Sequence, residues 1–65
     1  MDMNSQNKVL STGFRIIRKD DYPQARIKGK ERAGQDWRTV ETFKTKAARD
    51  RTFKEMLQDP KVISD

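Results

Sequence analysis

Apolar and polar positions change rhythm several times along this chain, and each change predicts an element. Residues 1–12 show no periodicity. Asn, Ser and Gln dominate there, and only Val9-Leu10 offers anything to bury, so a flexible N-terminal tail is expected. Residues 13–19 (Gly-Phe-Arg-Ile-Ile-Arg-Lys) read as a first strand with imperfect alternation, since Phe14 and Ile16 share one side and Arg15 and Ile17 the other. Asp20-Asp21-Tyr22-Pro23 is a turn, where aspartates can bond their own backbone and the residue before proline is pushed toward extended geometry. Residues 24–31 alternate cleanly: Ala25, Ile27 and Gly29 fall on one face, Arg26, Lys28 and Lys30 on the other. Arg32-Ala33-Gly34-Gln35 then supplies a hairpin loop, with Gly34 suited to positive φ.

The third strand, residues 36–44, is ambiguous. In a regular strand Trp37, Thr39, Glu41 and Phe43 share a side and Val40 opposes them. Placing Trp37 and Phe43 in the core drags Glu41 inward unless a bulge intervenes. The expected compromise is that Phe43 turns inward at the strand end while Trp37 stays partly exposed. Thr45 is a helix N-cap candidate, because its hydroxyl can accept from a backbone N–H two or three residues on. Residues 46–58 form the helix, with Ala48, Thr52, Phe53, Met56 and Leu57 as its buried stripe and Arg49 left to solvent. Asp50 and Lys54 are spaced for an ion pair along it. Asp59-Pro60 ends it, and Val62-Ile63 can pack back or add a brief edge strand. The expected fold is α+β: a three-stranded antiparallel meander packed on one face by a single C-terminal α-helix. Its expected divisions are a tail at 1–12, the β-β-β-α domain at 13–59 and a second tail at 60–65.

Composition changes this picture in a few respects. Charged residues are 38% of the 65 positions and hydrophobic ones 32%, a balance that leans toward disorder, but the apolar residues are clustered. The core is thin, so a homodimer that covers spare apolar surface is a candidate partner arrangement. Cysteine and histidine are both absent, which removes disulfides, thiolate metal sites, the commonest general base and the common nucleophilic triads. Gly13, Gly29 and Gly34 are scattered singly, so no phosphate-cradling loop exists. The expectation is a protein that is not an enzyme and needs no cofactor or metal. No apolar run suits a signal peptide or a membrane span, so a soluble cytoplasmic protein is expected.

Charge is the strongest functional signal. The net charge is +5, and residues 13–46 hold all of the excess, with ten basic residues against five acidic ones. Lys8 cancels Asp2 before that span, and Arg49, Arg51, Lys54 and Lys61 cancel Asp50, Glu55, Asp59 and Asp65 after it. A basic sheet favours polyanionic partners, with duplex DNA ahead of other nucleic acids. If the second strand sets the register, Arg15, Arg26, Lys28, Lys30 and Arg38 stand on or beside the side away from the helix. Lys28, Lys30 and Arg32 would hold phosphates, and Arg15, Arg26 and Arg38 would address base edges. Trp37 or Tyr22 would add stacking. The plainer alternative is a charged outer face that keeps a one-sided sheet soluble and discourages strand pairing. A further alternative is a protein-interaction module, such as a homodimer, accessory or inhibitor subunit, that uses the open sheet edge or the Trp37 surface.

Phe43-x-Thr45-Lys46-x-Ala48, after a basic hairpin and leading into a helix, resembles the junction in the arm-binding N-terminal domains of phage and transposon tyrosine integrases. The resemblance spans roughly residues 13–58 in element order. It implies a three-stranded sheet with one C-terminal helix, and a sheet face that binds DNA through Arg15, Arg26, Lys28 and Arg38.

Overall fold

A computed structural model describes residues 2–65. The elements run α1 (Met3–Ser11), β1 (Arg15–Asp20), β2 (Arg26–Lys30), β3 (Arg38–Thr42), α2 (Lys46–Met56) and β4 (Val62–Ser64). The sheet order is β3-β2-β1-β4, so the expected antiparallel meander is present and a parallel fourth strand extends it. The fold is therefore α+β as expected, but with four strands in a mixed sheet and two helices.

The largest departure is α1, a helix where a flexible tail was expected. Asp2 caps it by accepting from the Ser5 N–H at 2.7 Å, and the cap holds the Asp2 carboxyl below its usual range. Gly13 ends it at φ 95, a left-handed geometry that glycine adopts without strain. Gln6 and Leu10, one helical turn apart, form its buried face.

The register shows why two helices are needed. Ile16 and Ile17 are both buried, yet neighbours on a strand face opposite sides. Ile17, paired with Gly29, lies on the α2 side, where it clusters with Ile27 and Phe53. Phe43, Met56 and Val62 pack against that cluster. Burying a side chain of this size contributes about 1.5–3 kcal/mol. Ile16, paired with Lys30 and Ile63, lies on the opposite side, which α1 covers at that end. The Val62-Ile63 segment joins the sheet as β4 through this pairing.

In β3, Ile27 faces Glu41 and the next residue, Lys28, faces Thr39. Val40 is thus the extra residue of a bulge. Beyond it the alternation is inverted, so Phe43 reaches the α2 core while Trp37 lies on the other side, half-buried. Both halves of the compromise expected for this strand are present. Val40 itself lies over Gly29, where a Cβ would meet its Cγ2 at 3.0 Å.

Thr45 caps α2 as its position implies, accepting from the Ala48 N–H at 3.1 Å. The helix is rotated from the expected stripe. Arg49 is buried at 5% exposure while Leu57, at the C-terminal cap, is 36% exposed. The Arg49 guanidinium donates to the Asp20 carbonyl at 3.0 Å, to the Asp21 carboxylate and to Asp50 Oδ1 at 3.1 Å. It thereby ties the start of α2 to the β1–β2 turn, and Asp50 pairs with Arg49 and Lys19 where a partner at Lys54 was expected.

Candidate nucleic-acid interface

The side of the sheet away from α2 is built by alternate positions of the strands, with Ile63 of β4 beside Ile16 at the α1 end and the polar positions on the other three strands. Ile16, Arg18 and Asp20 come from β1, and Arg26, Lys28 and Lys30 from β2. Thr39 and Thr42 extend this side across β3 through their pairing with Lys28 and Arg26. Trp37 leans over it just before β3 begins: the Arg18 guanidinium carbon lies 4.6 Å and the Lys30 ammonium 5.0 Å from its ring centroid. Cations near an indole face are attracted by its quadrupole. Four basic side chains and one aspartate therefore share this side.

These cations differ in freedom. Lys30 is buried at 4% exposure under α1, where it donates to Gln6 Oε1 at 3.1 Å. It is a docking post for α1, and the expectation that it holds a phosphate does not fit the docked helix. Lys28 pairs with Asp20 at 3.2 Å, and that hydrogen bond is the main reason the Asp20 carboxyl titrates below its ordinary value. Asp20 also accepts from the Asp21 N–H at 2.9 Å, as expected of a turn aspartate. Arg26 donates Nε to the Gln24 carbonyl at 3.3 Å and has no carboxylate partner among the described residues. Arg18 has neither a carboxylate nor a hydrogen-bond acceptor among them, only the Trp37 ring. Arg32 is exposed in the β2–β3 loop, which Gly34 turns at φ 80 and anchors to α1 by donating to Asn7 Oδ1 at 3.1 Å.

Arg15 and Arg38 are on the other side, contrary to expectation. Arg15 alternates with Ile16 and pairs with Val62, and Arg38 pairs with Gly29. Both border a cavity of about 340 Å³ on the α2 side, floored by Ile17, Gly29, Val40 and Met56. Arg38 is neutralised there by Glu31 at 2.8 Å. Sequence reasoning passed over Arg18, although its spacing from Ile16 by two placed it on this face. Tyr22 is 84% exposed in the β1–β2 turn.

Among the described residues no cluster of acidic side chains suits a metal ion, and no helix is long and apolar enough to cross a membrane. No protein-family model, curated protein or solved structure matches the chain.

Proposed function

We propose that this chain is a small, non-enzymatic nucleic-acid-binding protein, with duplex DNA as its favoured ligand, that binds through the sheet side bearing Arg18, Arg26, Lys28 and Trp37. One observation carries the reading: Arg18 and Arg26, two arginines without carboxylate partners, stand together on an open sheet side next to Lys28. A purely solubilising face would do as well with mixed, mutually paired charges. Arg26, Lys28 and the exposed Arg32 contact phosphates, while Thr39 and Thr42 offer hydroxyls at the β3 margin. The order β1-β2-β3-α2 agrees with the resemblance to integrase arm-binding domains and supports the reading, with α1 and β4 as additions to that plan.

A salt-series titration against duplex and single-stranded oligonucleotides tests it. Each phosphate neutralised contributes about −0.9 to the slope of log K against log salt, so three contacts give a slope near −3. The Arg26→Glu, Lys28→Glu double variant should bind at least about tenfold more weakly and lose roughly 2 from that slope. Undetectable binding at low salt, or an unchanged double variant, ends the proposal.

A second reading, a protein-interaction module, draws on β3. It is an edge strand whose five residues are all exposed, and its Val40 and Arg38 border the cavity on the α2 side. Sedimentation showing a tight dimer, together with no affinity for nucleic acid, would favour it.

A further inference from the structure

We infer that Arg18 is the specificity-determining residue of this face, held by Trp37 to read the O6 and N7 edge of a guanine in the major groove of a duplex. The inference rests on the nucleic-acid reading and adds a substrate class to it.

Arg18 is the one arginine on this side whose whole donor fork is unused. Arg26 spends its Nε on the Gln24 carbonyl, whereas Arg18 donates to no acceptor among the described residues. A guanidinium carries five N–H donors in a rigid plane, and two of them match the paired acceptors of guanine in the major groove. Loose arginines give up rotamer freedom on binding, which weakens recognition. Arg18 is already restrained, because its guanidinium lies 4.6 Å from the Trp37 centroid. The platform is braced in turn. Lys30 approaches the same ring at 5.0 Å and is itself fixed by Gln6 of α1, so α1, Lys30, Trp37 and Arg18 form one chain of contacts.

The same geometry argues against single strands. Binding unpaired bases relies on open aromatic faces for stacking. Trp37 is half-buried and already engaged by two cations. Phe43 and Phe53 belong to the core on the other side of the sheet. Phe14 is half-buried with Lys61 at 5.5 Å from its ring, which leaves Tyr22, in the turn, as the one open ring. One ring makes no stacking track. At the Arg18 end, beyond the residues that β4 and α1 cover, three strands at about 4.8 Å spacing are roughly 10 Å across, which fits a major groove about 12 Å wide.

Fluorescence-anisotropy titrations at fixed salt would compare one duplex containing guanine, the same duplex with 7-deazaguanine, which lacks N7, and the corresponding single strand. Wild-type protein should prefer the guanine duplex over the deazaguanine duplex by about tenfold, the scale of one lost hydrogen bond to a charged group, and should bind the single strand more weakly than the guanine duplex. Arg18→Met, which removes every donor of the side chain, should abolish the guanine preference and lower the salt slope by at most about 1. Trp37→Phe, a milder change to the platform, should shrink the preference. Equal affinity for the guanine and deazaguanine duplexes, an intact preference in Arg18→Met, or tighter binding of the single strand would overturn the inference and leave nucleic-acid binding standing. Absence of binding to all three would remove the underlying reading as well.

Discussion

On the α2 side of the sheet, charge is spent locally: Arg49 meets Asp21 and Asp50, Lys19 meets Asp50, Lys46 meets Asp21 and Arg38 meets Glu31. Beneath those pairs Ile17, Ile27 and Phe53 form the hydrophobic cluster. On the α1 side the balance is reversed. Ile16 is buried at one end, the buried Lys30 replaces a hydrophobic residue, and Arg18 and Arg26 have no carboxylate to answer them. The α2 side pairs most of its charge over a hydrophobic cluster, while on the α1 side only Lys28 is paired, with Asp20, and two arginines are left without a carboxylate. Since both are cut from the same three strands, the division depends on side-chain parity and not on separate segments.

The contrast is broken most severely through Phe53. Phe53→Ala should cost about 3–5 kcal/mol, close to the whole stability of a small domain, and circular dichroism at 25 °C should show a largely unfolded chain. Leu10→Ala on the α1 side should cost nearer 2–3 kcal/mol and free α1 locally. Hydrogen exchange would then show the α1 amides opened and those of β2 still protected. Global unfolding of both variants alike would mean that the two sides form a single cooperative unit.

Arg49→Met tests the charge pairing with a smaller effect. Hydrogen bonding to Arg49 is the main cause of the lowered Asp21 pKa, and Asp21 is the main cause of the raised Arg49 pKa. A carboxylate depressed on folding stabilises fully above its unfolded pKa, about 3.9, and that contribution disappears as pH falls through the lower folded value. The wild-type melting temperature should therefore fall on acidification below about pH 4. Arg49→Met should melt lower at neutral pH and lose less over that acid window. An unchanged acid slope would show that Asp21 and Arg49 are not linked in solution.

Asp20→Asn should have the mildest effect, and it sharpens the other half of the comparison. Asn keeps an oxygen for the Asp21 N–H while freeing Lys28 and deleting the acid on this side. One charge at about 8 Å in water is worth roughly 0.5 kcal/mol, so duplex affinity at low salt should rise about twofold. Weaker or unchanged binding would place the nucleic acid elsewhere.

The meander, the Thr45 cap and the inward Phe43 were legible because each follows from local pattern: alternation, a hydroxyl before a helix, an aromatic at a strand end. The N-terminal helix was not legible, because Asn4, Ser5, Asn7, Val9 and Ser11 are poor helix formers and its buried face is only Gln6 and Leu10. Asp2 and Gly13 bracket it as cap and stop. Arg49 was assigned to solvent because a charged residue is buried only with partners, and those partners lie in the distant β1–β2 turn. The candidate face was half legible. Arg26 and Lys28 follow from β2 alone, but Arg15 and Arg38 needed the pairings with Val62 and Gly29, and Lys30 needed α1.

The bulge at Val40 carries a consequence for chain length. Between Trp37 and Phe43 lie five residues, a spacing that an unbroken strand would translate into a shared side. The extra residue turns odd into even, so that one aromatic serves the charged side and the other the core. With the bulge kept, adding one residue in this interval would bring Trp37 and Phe43 onto a common side, whereas deleting the extra residue Val40 leaves four between them and keeps them apart. Length in this stretch is therefore constrained by parity more than by size.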